Sequence, residues 1–187
     1  MKTLSIVIIL LIFSCKPVEV IQPVVFDNSQ LPQISIVAEN LEINQIYESI
    51  FSDPYIGHSL KFPPLARLNN WINSNIKIIG SENSLKINII DASIKRFEAQ
   101  DKEAKKYEEK DIYQYEIYYL IEYNLYDDTD YLIANTSVES FRSTTSGRYI
   151  SIAEKERIID DLVLESLRDI TKESEKLITE YMKDYVI

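Results

Sequence analysis

One cysteine, Cys15, and one histidine, His58, limit the chemistry this chain can do. A disulfide within the chain needs two cysteines, and a Cys/His zinc site needs about four ligands, so neither can be built. The three glycines, Gly57, Gly80 and Gly147, are isolated, which leaves no glycine-rich loop to cradle a phosphate. No metal and no cofactor is expected. His58, in the loop Tyr55-Ile56-Gly57-His58-Ser59, could serve as a general base, and a pair with Ser59 or another serine is formally open. No nucleophile-elbow motif surrounds any serine, however. With 30 acidic residues, a carboxylate pair of the glycosidase kind stays open by composition. Asp127, Asp128 and Asp130 share the acidity of a calcium loop but lack its following glycine and distant glutamate, so a solvated hairpin tip is expected there. No catalytic residue is assigned. The 20 basic residues leave a net charge of -10, which repels nucleic acid phosphates, and no nucleic-acid partner is expected.

Cys15 has a more specific context. Lys2 precedes an apolar run from Leu4 to Phe13, ten residues long and too short for a membrane-spanning helix, which needs about 20. It matches the apolar core of a secretory signal. The small residue Ser14 then precedes Cys15. The tetrapeptide Ile12-Phe13-Ser14-Cys15 resembles the lipobox of bacterial lipoproteins. That resemblance implies cleavage between Ser14 and Cys15, acylation of the Cys15 thiol and of the new amino group, and permanent attachment to a membrane. Each buried methylene contributes about 0.8 kcal/mol, so two or three acyl chains do not let go. Lys16 stands where, in the enterobacterial pattern, an Asp would retain the protein at the inner membrane. The outer membrane is therefore the expected location, with the domain facing the periplasm.

The tyrosines are the other unusual feature: 13 in all, seven of them between Tyr113 and Tyr131. Tyrosine favours strands, which accounts for most of them as core. Tyr118 and Tyr126, with Leu120, fall on the face opposite the main apolar row. Exposed aromatics on a sheet suit contact with a partner, so these three are the candidate partner surface.

The elements that must carry these residues follow from periodicity. Pro17, Pro23 and Pro32 make 15–32 a tether, able to span roughly 50 Å if fully extended, with Val18, Val20, Val24, Val25 and Phe26 available to dock part of it on the domain. Gln33–Glu39 reads as a short strand, and 40–59 as undecided between a helical turn and an extended piece. Pro63-Pro64 opens a helix expected to run to about Ile79, with Gly80 as its left-handed stop. Leu85–Phe97 reads as a strand with a bulge near Asp91, because its apolar positions change parity there. The mixed-charge run 95–111 reads as a solvated arm or the projecting end of a hairpin. Ile112–Tyr126 is the strongest strand, its odd positions Tyr113 to Leu125 apolar, and Tyr131–Phe141 returns as its partner with Leu132, Ala134, Thr136 and Val138 on one face. Ser151-Ile152-Ala153-Glu154 is a capping box that starts a long helix reaching about Asp184.

The expected order is β-α-β-β-β-α: an α+β fold in two layers, a mainly antiparallel sheet of about four strands with both helices on one face. The expected divisions are a signal peptide over 1–14, the lipidated cysteine and tether over 15–32, and a single domain over 33–187. The layout resembles small envelope lipoproteins of proteobacteria, the lipopolysaccharide-assembly lipoproteins and the auxiliary lipoproteins of lipid-transport ABC systems. Pro63 to Trp71, Leu85 to Ser93 and the segment from Ile152 onward carry the likeness. It implies a non-enzymatic, lipid-anchored accessory protein with a protein or lipid partner, assisting an outer-membrane assembly or lipid-transport complex. The competing expectation is a periplasmic hydrolase using a carboxylate pair or His58.

Overall fold

The computed structural model describes residues 22, 24–107 and 110–187. Ser14 and Cys15, and with them the lipobox and signal segment, lie outside the described residues, as do Glu108 and Glu109 of the charged run. The chain forms β1 (Ile34–Ile36), β2 (Asn40–Gln45), α1 (Pro64–Asn75), β3 (Ile76–Ile78), β4 (Ser84–Gln100), β5 (Asp111–Tyr126), β6 (Leu132–Gly147) and α2 (Ile152–Tyr181). The α+β class holds, with more strands than the periodicity resolves.

The main sheet has the order β2-β4-β5-β6. Strands β4, β5 and β6 form two antiparallel hairpins, and β2 joins the outer edge of β4 in parallel. Beyond β2, the loop after it continues along that edge: Ile56 N–H donates to Ile94 O, and Arg96 N–H donates to Pro54 O. A second, two-stranded parallel sheet pairs β1 with β3, and Val186, near the end of the chain, bridges to Ile36.

Register explains the burial pattern. In β5, Tyr115, Ile117, Tyr119, Ile121, Tyr123 and Leu125 alternate as fully buried residues. In β4, Leu85, Ile87 and Ile89 face the same way, and the register shift between Ile89 and Asp91 turns Ala92 and Ile94 onto that face too. The bulge therefore keeps one side of a 17-residue strand apolar despite its change of sequence parity. Both helices cover this side. Tyr119 Oη reaches Pro64 O of α1 at 3.4 Å, and Tyr123 Oη donates to Ser174 Oγ of α2 at 3.0 Å.

Helix α2 starts as its cap requires: Ser151 Oγ accepts from Glu154 N–H at 3.2 Å. Its buried stripe runs through Ile159, Leu162, Val163, Leu167, Ile170 and Ile178. Arg142 of β6 clamps the helix from the sheet, with Nε donating to Asp169 Oδ2 at 2.6 Å and a second nitrogen to Oδ1 at 3.0 Å. Such a fork is the strong geometry for an arginine–carboxylate pair.

Three local expectations are corrected. Helix α1 ends at Asn75, not Ile79, because Ile76–Ile78 leave the helix to pair with β1. The β-branched isoleucines suit a strand, and a parallel partner was waiting. Asn75 marks the switch, its buried side-chain amide donating to the carbonyls of Asn28, Leu31 and Pro32. Gly80 consequently is no helix stop. It follows β3 where a Cβ would come within 3.3 Å of Ala38 N and Val37 Cγ1, so its lack of a side chain permits a close approach. Finally, a second register shift, beside Leu125 and Tyr126, pairs Leu132 with Tyr126. That turns Leu132 away from the core side where Ala134 and Val138 remain.

Candidate functional site

With both helices on one side of the sheet, the other side is open. Pairing places on it Lys86, Asn88, Asp91, Ser93 and Lys95 from β4, then Glu116, Tyr118, Leu120, Glu122 and Tyr126 from β5, and Ser137, Glu139 and Phe141 from β6. The candidate residues Tyr118, Leu120 and Tyr126 are all half-buried here, neither core nor fully bare. Tyr118 pairs across the strands with Phe141, which is 61% exposed and which the candidate set omitted. Its position was legible from parity, since Phe141 is out of phase with Ala134 and Val138. Tyr118 Oη donates to Glu139 Oε2 at 2.8 Å, and that bond, ahead of burial, raises the phenol's pKa above its usual range.

The three candidates do not form one patch. Tyr118 pairs with Phe141 and Leu120 with Glu139, whereas Tyr126 lies eight residues along, about 27 Å away at 3.4 Å per residue. There Lys86 Nζ sits 5.0 Å over the Tyr126 ring, with half-exposed Leu132 beside it. Between the two aromatic ends runs a polar ladder. Asn44 donates to Asn88 at 3.3 Å, Asn88 donates to Glu122 at 3.3 Å, and Lys86 pairs with Glu42 at 3.6 Å.

A cleft of about 410 Å³ opens elsewhere, where the 56–62 segment, α1, β4 and the first turns of α2 converge. No sequence motif announced it, because its residues come from five separate stretches. Arg67, Arg96, Lys61 and Lys155 bring positive charge, Glu156 and Asp160 bring negative charge, and Val24 closes one side. Arg67 stacks on the Phe26 and Phe62 rings and pairs with Asp160 at 3.8 Å. Burial raises the Asp160 pKa, and Arg67 opposes that rise. Burial, with Arg96 second, pulls the Lys155 ammonium below its usual range.

His58 lies apart from these carboxylates. It is exposed, its Nδ1 is 3.2 Å from Ile50 O, and its ring lies 5.3 Å from that of Phe51. Ser59 Oγ donates instead to Ile56 O, so no Ser–His pair forms in this loop. Asp127 is committed to the hairpin tip, its Oδ1 accepting from Thr129 N–H, Thr129 Oγ1 and Tyr131 N–H. Among the described residues no group of three or more His, Cys, Asp or Glu side chains is placed to hold a metal ion, and no helix is long and apolar enough to cross a membrane.

No protein-family model and no curated protein matches the chain. Among solved structures, it is similar to a minor lipoprotein from Acinetobacter baumannii, with 7% identity over 78% of this chain and 93% of that one, at a TM-score of 0.42. It is also similar to rare lipoprotein B from Shewanella oneidensis, with 12% identity over 76% of this chain and 98% of that one, at a TM-score of 0.39. At such distances the function has to be argued from this chain's own residues.

Proposed function

We propose that the protein is a lipid-anchored, non-enzymatic accessory protein of the bacterial cell envelope. In this reading it is held at the outer membrane through Cys15, faces the periplasm, and docks on an assembly or lipid-transport complex through its open sheet face. The observation that carries this reading is the one-sided sheet: both helices lie beneath β5, and Tyr118, Leu120 and Phe141 stand together on the uncovered side. Aromatic groups that pair across strands are suited to serve as interface anchors, which typically cost 1–2 kcal/mol or more when truncated. The lipobox-like residues Ile12 to Cys15 supply the attachment.

The test has two arms in intact cells. Labelling with a fatty-acid analogue should mark the wild type and not Cys15→Ser; equal label on both would remove the anchor. A photo-crosslinker at position 118 should capture a discrete envelope protein. Tyr118→Ala with Tyr126→Ala should keep the circular dichroism of the fold while association falls about tenfold. An unfolded double variant, or unchanged association, would overturn the docking face.

A second reading, hydrolysis by a carboxylate pair, is favoured by one observation: Glu156 and Asp160 line the same cleft, and burial raises the Asp160 pKa. Such a site would lose all turnover in Asp160→Asn, on ester or glycoside substrates that the wild type cleaves.

A further inference from the structure

The cleft is electrostatically out of character with the chain that builds it. The protein carries a net charge of -10, yet this cavity is lined by four cations and two carboxylates. The carboxylates do not neutralise the cations evenly. Asp160 is engaged with Arg67. Arg96 and Lys155 form no ion pair with any described carboxylate. They sit instead near one ring, with Arg96 4.9 Å and Lys155 5.2 Å from the centroid of Tyr113, and Arg148 5.8 Å from it. Like charges gathered around one aromatic ring repel, and the ring returns only part of that cost. A bound anion would return the rest. Arg67, held between Phe26, Phe62 and Asp160, adds to the positive charge of the wall.

The rest of the lining is apolar. Ile56 and Ile159 are buried in the wall, Leu60 is half-buried, and Phe62 and Ile152 stand at the rim with 49% and 77% of their surface exposed. An inorganic anion would satisfy the cations and leave this wall in water. A purely apolar ligand would do the reverse. The volume falls within the range of about 300–1,000 Å³ usual for small-molecule sites. We propose that the cleft binds an anionic amphiphile, its phosphate or carboxylate head held by Arg96 and Lys155 and its apolar chain laid along Ile56, Leu60, Phe62 and Ile159.

The cleft is separate from the docking face, so this inference stands whether or not that face has a partner. It also bears on where the ligand comes from. Val24 lines the cleft only nine residues after Cys15, a reach of about 30 Å at full extension. With Cys15 in a bilayer, the cleft lies within reach of its headgroups. A lipid of that membrane and a free periplasmic amphiphile offer the same chemistry.

The full chain in neutral maltoside detergent can be titrated with octyl phosphate, inorganic phosphate and octanol, reading the phosphorus resonance or the heat of binding. Octyl phosphate should bind saturably and at least tenfold more tightly than either fragment. Arg96→Gln with Lys155→Gln should weaken it at least tenfold, with an unchanged melting temperature, and Phe62→Ser should weaken octyl phosphate but not inorganic phosphate. Equal binding of inorganic and octyl phosphate would overturn the proposal. So would a change below twofold in the double variant, or selective capture of acidic peptides over octyl phosphate. Adding phosphatidylglycerol to the micelles separates the sources: displacement of octyl phosphate supports a membrane lipid, and retention supports a free amphiphile. Cys15→Ser should bind octyl phosphate like the wild type, so failure of the anchor and failure of the cleft are distinguishable.

Discussion

The assignment of faces on β5 rests on a contact that can be weighed. Tyr123 Oη donates to Ser174 Oγ at 3.0 Å, and both residues have no exposed surface. Tyr123→Phe removes the donor without creating a large cavity. The lost bond is worth about 1 kcal/mol net, and a stranded buried hydroxyl costs about 1–3 kcal/mol, so a loss of about 1–2 kcal/mol is expected. For a chain of this size that corresponds to a fall of about 2–8 °C in melting temperature. Ser174→Ala should cost a similar amount by stranding the phenol. The double variant should cost less than the sum by about 1 kcal/mol, because it strands neither group. Tyr118→Phe is the internal control. Its hydroxyl meets Glu139 on the open side, where water replaces the lost bond, and the change should stay within about 0.5 kcal/mol. Urea unfolding followed by circular dichroism on the full chain in neutral detergent measures all four variants. A strictly additive cycle, or a Tyr118→Phe as costly as Tyr123→Phe, would refute the assignment of the odd face to the helices. The proposed docking surface would fall with it.

Two further outcomes follow from the same geometry. Ser151→Ala should lower stability by about 1 kcal/mol, since Ser151 Oγ satisfies the Glu154 N–H at the start of α2; an unchanged thermal midpoint would show that the helix does not depend on that cap. Stability should also fall at alkaline pH. Burial raises the phenol pKa values of Tyr119 and Tyr123, so the native state keeps both protons after the unfolded chain releases them near pH 10. Their contribution is complete below that pH and is lost as pH rises above it, by up to about 2.7 kcal/mol per pH unit for the two. Urea midpoints from pH 9 to 11.5 should show this slope. Replacing both tyrosines with Phe should flatten it, and an identical slope in that variant would assign the proton release to other groups.

Local signals carried much of this protein. Alternation from Tyr115 to Leu125 specifies a strand with one apolar side, because a period of two admits no other regular element. The parity change near Asp91 announced the bulge, and Ser151-x-x-Glu154 announced the helix start. Even the uncovered face was legible, in that Tyr118 and Leu120 could not share the side of Tyr119 and Ile121. What local signals could not settle was pairing at a distance. Ile76–Ile78 continue a helical pattern and become a strand only because β1 offers parallel hydrogen bonds from more than forty residues away. Leu132 looks in phase with Ala134 until the register shift beside Tyr126 turns it outward. The cleft belongs wholly to tertiary structure. Lys61, Arg67, Arg96 and Lys155 are ordinary surface cations when read along the chain. Their convergence depends on where α1, β4 and α2 come to rest, and charge repulsion among them exists only once packing has brought them together.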